Sequence, residues 1–283
     1  MIHRRAARIG YGRAVRLLPL PALLLGVAIA ASGCSDPSPS SPSPTPTPPP
    51  GGGDACAAIG AAPAGILAIV NGSACATAGS PVVELNLRDR DDRSAGSCSG
   101  TVIARRAVLT AAHCLDDPVA GARVYLGGVD QVQGASIHRH PGYRANDTGT
   151  PDVGVVLTTA DIPRTPVPLL LSRDARVGEQ AVVAGWGRDQ FDASGTLRAG
   201  KASITAVGAV YLQTEYAAGT SGVCAGDSGG PLLLSESGTW AVAGVTSLTS
   251  NSGCSAGANY FVNLRNADAS SFVLGLVPGA ARR

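Results

Sequence analysis

Beyond residue 80 the apolar residues fall into short runs that alternate with polar residues or are broken by glycine and proline. Val82-Val83-Glu84-Leu85-Asn86-Leu87 has the two-residue period of a strand, and Val153-Gly154-Val155-Val156-Leu157 reads as a core strand. Comparable runs predict strands around 100–103, 107–110, 124–126 and 153–158 in a first half. A second half holds strands near 180–184, 200–207, 210–214, 232–234, 240–247 and 259–263. The segment 160–171, with three prolines, reads as the connection between the halves. The balanced charges of Arg88-Asp89-Arg90-Asp91-Asp92-Arg93 suit a solvated hairpin loop better than a calcium site. At the far end, 267–277 reads as a helix whose start Asp268 or Ser270 can cap.

The first 80 residues follow a different pattern. Arg4, Arg5, Arg8, Arg13 and Arg16 precede an apolar stretch from Leu17 to Ala30, which marks 1–34 as an export signal too short for a spanning helix. Ala31-Ser32-Gly33-Cys34 resembles a bacterial lipobox, with Ala31 where leucine is usual, and predicts a lipid thioether on Cys34 and a cell-envelope location. Cleavage after Ala28-Ile29-Ala30 is the alternative and would release a soluble secreted protein. Seven cysteines leave one without a partner, which favours the anchored form. Residues 35–53 are rich in Ser, Thr and Pro and read as an extended linker with a reach of about 60 Å. Residues 54–68, with Cys56, read as a propeptide or a disordered domain edge, and 69–283 as the folded domain.

Thirty-seven glycines and 20 prolines among 283 residues favour a turn-rich β protein. With aromatics at only 4%, its core must be built from Val, Leu, Ile and Ala. A net charge of +2 without a basic patch beyond the N-terminus argues against nucleic acid as the main partner.

Candidate chemistry concentrates in Gly222-Val223-Cys224-Ala225-Gly226-Asp227-Ser228-Gly229-Gly230-Pro231, directly before the apolar Leu232-Leu233-Leu234. Glycines let such a loop turn its N–H groups toward one point, so those of Gly226 and Ser228 can converge on a negatively charged oxygen. The same residues also make a good plain turn between strands. As a nucleophile Ser228 needs a base. Of four histidines, His3 lies in the export segment, and His138 and His140 stand at a strand end before Pro141. His113 remains, where the apolar Val108-Leu109 runs into Thr110-Ala111-Ala112. Asp152, at the head of a core strand, fits the buried carboxylate that fixes the imidazole tautomer; Asp147 and Asp161 are rivals in loop sequence.

The order His113, Asp152, Ser228, together with Thr-Ala-Ala-His-Cys at 110–114 and Gly-Asp-Ser-Gly-Gly-Pro at 226–231, resembles the chymotrypsin-like serine proteases. Gly185-Trp186-Gly187 and His140-Pro141-Gly142-Tyr143 match weaker patterns of that family, and Ile69-Val70-Asn71-Gly72 resembles its mature N-terminus. The resemblance implies an all-β fold of two antiparallel barrels with a short C-terminal helix and a triad in the cleft between the barrels. It implies acyl transfer on a protein or peptide by a monomer, with Gly226 and Ser228 as the oxyanion hole and no cofactor. Asp227 would pair with the amine of Ile69 freed by cleavage at Ala68–Ile69. Disulfides Cys98–Cys114 and Cys224–Cys254 are implied by family positions. Cys56 and Cys75 are left to each other, a departure from relatives in which the second pairs further along the chain. No Cys-x-x-Cys spacing supports a metal site.

In the substrate pocket, Gly222 stands where trypsin-like relatives carry an aspartate, and Ser247-Leu248-Thr249 resembles the pocket edge, with Thr249 replacing a glycine. A small aliphatic residue before the scissile bond is therefore expected. A binding or adhesion module that has lost catalysis is the alternative, against which stands the presence of all three triad residues.

Overall fold

A computed structural model of the chain describes residues 52–217 and 219–283. The expected export signal, Cys34 and the expected linker as far as Gly51 lie outside the described residues. The run at 82–87 forms β3 (Val82–Arg88), following the short N-terminal strands β1 (Pro63–Ala68) and β2 (Gly72–Cys75). Val82, Val83, Leu85 and Leu87 of β3 are buried, while Glu84 and Asn86 take the half-buried positions, as alternation of side chains across a sheet requires. The 88–93 loop then turns the chain: the Asp89 carboxylate accepts the N–H groups of Asp91 and Arg93, and the charges stay in water.

β3 closes a ring with β4 (Ser94–Ala104), β5 (Ala107–Thr110), β6 (Gly121–Gly127), β7 (Asp130–Arg139) and β8 (Gly154–Thr158), in the order β3-β4-β5-β8-β7-β6. A second ring contains β9 (Gln180–Gly185), β10 (Arg198–Val207), β11 (Tyr211–Tyr216), β12 (Pro231–Glu236), β13 (Thr239–Thr249) and β14 (Gly257–Asn263). Its order is β10-β11-β14-β13-β12-β9, closed by β9 pairing with β10. The two antiparallel six-stranded barrels are those that the family resemblance implies, and closure removes the free edges a flat sheet would expose. β7 is absent from the hydrophobic pattern: Asp130-Gln131-Val132-Gln133-Gly134 is mostly polar and only partly buried. It is a strand because β6 and β8 offer ladders on both sides.

Residues 54–68 take up helix and strand against the second barrel. Helix α1 (Gly52–Ala58) carries Cys56, bonded to Cys75 of β2, and β1 folds back on β2 as a hairpin, with β2 pairing with β10. The C-terminal helix α2 spans Ala267–Leu276. Its cap is neither Asp268 nor Ser270 but Asn266, whose side chain accepts the Ala269 N–H at 3.0 Å. Asp268 lies in the first turn instead, where its charge suits the helix dipole.

Two features outside the candidate site help to join the barrels. The connecting segment donates from Val167 N–H to Val102 in the first barrel and from Leu170 N–H to Val242 in the second. Trp186, just after β9, donates its indole N–H to the Val82 carbonyl at 3.2 Å and sets its ring edge-on to Tyr125 at 5.6 Å. With Trp186 buried at this seam, Trp186→Ala should destabilise the fold by about 3–5 kcal/mol in denaturant unfolding. A loss below about 1 kcal/mol would mean that the barrels dock without it.

Candidate active site

β5 and β8 are antiparallel neighbours, with Thr110 opposite Gly154. The chain therefore leaves β5 toward His113 at the same end of the first barrel where Asp152 enters β8. After Thr110 the small buried residues Ala111 and Ala112 let the backbone coil into a 3₁₀ turn at His113–Leu115, and Cys98–Cys114 ties that turn to β4. Asp152 is buried and saturated with donors: Oδ1 takes the His113 backbone N–H at 2.8 Å, while Oδ2 lies 2.7 Å from His113 Nδ1 and from the Ser247 hydroxyl. Burial pushes this carboxyl up, but the hydrogen bonds from His113 and Ser247 outweigh it and hold the group below the usual carboxylate range. Of the rivals, Asp161 pairs with Arg105 and Arg106, and Asp147 accepts the Gly149 N–H within its own loop. Tyr143 and Tyr211 stand close enough for the Asp152 charge to act on both; the Tyr143 hydroxyl is pushed up to about 12, first by burial and then by Asp152.

Ser228 arrives from the second barrel. Its carbonyl accepts the Ser99 N–H at 2.8 Å, and Cys114 Sγ lies 3.8 Å from both that carbonyl oxygen and His113 Nε2. The Ser228 hydroxyl has no hydrogen-bond partner among the described residues. The loop around it is fastened by two residues that the sequence reading missed. Ser99 Oγ accepts the Trp186 N–H and donates to the Gly226 carbonyl, each at 2.9 Å, and Thr110 Oγ1 donates to the Ser99 carbonyl at 2.8 Å. Ser99 reads as an ordinary strand residue, and Thr110, though it opens the Thr-Ala-Ala-His-Cys motif, gives no sign of a contact with Ser99. Gly229 has φ +83°, and a Cβ there would lie 2.0 Å from Thr110 Oγ1 and 2.3 Å from the Ser99 carbonyl oxygen, so no other residue fits.

The backbone donors of this loop divide cleanly. The N–H groups of Asp227, Gly229 and Gly230 bond to the carbonyls of Cys224, Thr246 and Asp227. Those of Gly226 and Ser228 have no protein acceptor among the described residues. Cys224–Cys254 closes the loop from the other side. The cluster Cys98, His113 and Cys114 is the one His/Cys/Asp/Glu group of metal-site size among the described residues, and both its sulfurs are in a disulfide, so it offers no thiolate.

Asp227 is fully buried, with Oδ1 accepting from Gly187 N–H at 2.8 Å and Oδ2 from Cys224 N–H at 2.9 Å. Ile69 lies in the uncut chain at the tip of the β1–β2 hairpin, its side chain buried and its φ +27°. For a β-branched residue that conformation is strained by about 1–3 kcal/mol. Val70 bridges to Gly222, and the Asn71 side chain donates to the Thr220 carbonyl at 2.9 Å, so the tip abuts the expected base of the pocket. Of the expected pocket edge, Ser247 turns its hydroxyl to Asp152, Leu248 is exposed, and Thr249 Oγ1 lies 3.2 Å from the hydroxyl of Tyr216, another residue missed in the sequence.

A family model described as Trypsin matches residues 69–273. The chain belongs to the trypsin-like serine protease family. Among its relatives, rat transmembrane protease serine 9 is 32% identical over 66% of this chain, which spans 20% of that protein's length. Bovine chymotrypsin-like elastase family member 1 is 30% identical over 56% of this chain and 70% of its own length. The solved structure of HL collagenase superposes with a TM-score of 0.61 at 23% identity, covering 71% of this chain and 95% of that one, which supports the two-barrel fold. The matched region of this trypsin-family chain starts at Ile69, so α1 and β1 precede it.

Asp227 generates a pH prediction. Burial pushes its carboxyl from 3.8 up to about 6, against the hydrogen bonds from Cys224 and Gly187 and the positive charge of Arg198. The folded chain then holds an extra proton between those values, so the contribution of Asp227 to stability is full below pH 3.8 and lost as pH rises through about 6. In the uncut protein, the wild type should lose unfolding free energy relative to Asp227→Asn across that interval. A difference that stays constant from pH 4 to 7 would contradict the assignment.

Proposed function

We propose that this trypsin-family chain is a serine endopeptidase that cleaves protein or peptide substrates through His113, Asp152 and Ser228. His113 Nε2 takes the Ser228 proton as the hydroxyl oxygen attacks the scissile carbonyl, then gives that proton to the leaving amine. Water attacks the resulting acyl-enzyme by the same route in reverse, restoring the Ser228 hydroxyl. Asp152 orients the imidazole and stabilises its protonated form. The N–H groups of Gly226 and Ser228 bind the developing oxyanion, a donor of this kind contributing about 3–4 kcal/mol. The observation that carries this reading is the three-donor Asp152 carboxylate holding His113 beside a loop in which the N–H groups of Gly226 and of Ser228 itself have no protein acceptor among the described residues.

The remaining parts of the proposal concern activation and placement. Cleavage at Ala68–Ile69 frees an α-amine that can reach Asp227 and relieves the strained tip of the hairpin. An alanine before that bond suits a pocket that takes small aliphatic residues, so the protein can process its own precursor. The Cys56–Cys75 bridge spans the cut and keeps the propeptide attached. With an exported chain, a lipid on Cys34 and the 35–53 linker, activation switches on a tethered protease without releasing it.

Ser228→Ala should lower kcat/KM by about 10⁴-fold or more while the unfolding transition stays in place, and a fluorophosphonate probe should label the wild type at Ser228 alone. Full activity in that purified variant would sink the triad assignment. For the anchor, Cys34→Ser should move the protein from the detergent-extracted membrane fraction to the soluble exported one. A wild type whose intact mass carries no lipid would remove the anchor and favour cleavage after Ala30.

A further inference from the structure

The positions assigned to the base and edge of the substrate pocket, Gly222 and Thr249, are both occupied by one side chain. A Cβ built on Gly222 would lie 2.4 Å from Cγ and from Cδ2 of Tyr216 and 2.9 Å from Cδ1, so the flat of the ring rests on the Gly222 Cα. The ring then passes Gly257, where Cε1 is 3.7 Å from the place of a Cβ, and the hydroxyl ends 3.2 Å from Thr249 Oγ1. Tyr216 is 3% exposed. It packs with Val70 and the Cys224–Cys254 disulfide, and its backbone is fixed in β11 opposite Gly257. Tyr216 also lines a surface hollow of about 530 Å³ together with Thr220 and Ala258.

We propose that Tyr216 sets the substrate class of this site. Its ring fills the depth of the pocket from Gly222 to Thr249 and leaves room only for a side chain of about alanine size before the scissile bond. The inference rests on the peptidase reading and adds to it the residue responsible for the preference. It also gives Gly222 a different reason for being glycine. The space that an acidic side chain would need is the space the ring takes, so restoring a carboxylate at 222 alone would create a collision rather than a preference for Arg or Lys.

The test uses the exported, processed protein, with active sites counted by fluorophosphonate labelling of Ser228. Peptides that differ only in Ala or Phe before the scissile bond report the ratio of kcat/KM values. The wild type should favour Ala. Tyr216→Gly should raise Phe relative to Ala by about 10–200-fold, whereas Tyr216→Phe, which keeps the ring, should retain the Ala preference. Gly222→Ser should weaken cleavage of the Ala peptide, and Tyr216→Gly should rescue it, a coupling expected only of groups in contact. Indole serves as a probe that needs no turnover: calorimetry should detect binding to Tyr216→Gly and not to the wild type. An unchanged Ala/Phe ratio in a Tyr216→Gly protein still labelled at Ser228 would overturn the proposal. So would a Gly222→Ser protein as active as the wild type, or indole binding equally to both forms. A wild type that is neither labelled nor active defeats the peptidase reading instead, and the indole comparison then still decides the role of Tyr216.

Discussion

The site depends on how closely the backbone of the second barrel approaches that of the first. At Gly229 the gap is too narrow for a single Cβ, which would fall 2.0 Å from Thr110 Oγ1. Ser99 converts that proximity into order: its N–H holds the Ser228 carbonyl, its hydroxyl bridges Trp186 and Gly226, and its carbonyl is held by Thr110. All three of these Ser99 groups are buried, where an unmade hydrogen bond costs about 1–3 kcal/mol. The loop around Ser228 is therefore held by the first barrel as much as by its own strands.

Two buried aspartates lie within this assembly and are treated in opposite ways. Asp152 is offered a histidine ring, a backbone N–H and a hydroxyl, and stays ionised. Asp227 has two backbone N–H groups and a more distant arginine, and its carboxyl is pushed up to about 6. Each one's partner set accounts for the difference: burial raises both, and only Asp152 has enough hydrogen bonding to reverse it. In the proposed activation, an α-amine delivered by Ile69 is the further positive group that Asp227 lacks in the uncut chain.

The N-terminal segment is held to the second barrel covalently, by Cys56–Cys75, and through hydrogen bonds by the β1–β2 hairpin and its pairing with β10. Its tip bridges to Gly222 through Val70, and Tyr216 covers the same glycine. The hairpin tip and the Tyr216 ring thus meet at one small residue in the structure. A side chain at 222 would collide with that ring beside the bridge to Val70.

By itself the sequence determined the strand-rich fold, the division into halves and the chemistry-bearing residues. Hydrophobic alternation in 82–87 reports a half-buried strand directly, and a serine among glycines or a histidine after small residues is legible wherever it occurs. What the sequence could not carry were features created by a neighbour. β7 is a strand because two ladders flank a polar segment. α2 begins at Ala267 as the pattern suggested, but its cap is Asn266, two residues before the nearer expected cap Asp268, because the Asn266 side chain reaches the Ala269 N–H. Ser99 and Tyr216 have no local signature, and the motif that contains Thr110 does not point to its contact with Ser99. Their roles arise only when barrel closure brings positions separated by 127 residues (Ser99 and Gly226) or 33 residues (Tyr216 and Thr249) within hydrogen-bond distance, a proximity that no periodicity along one chain records.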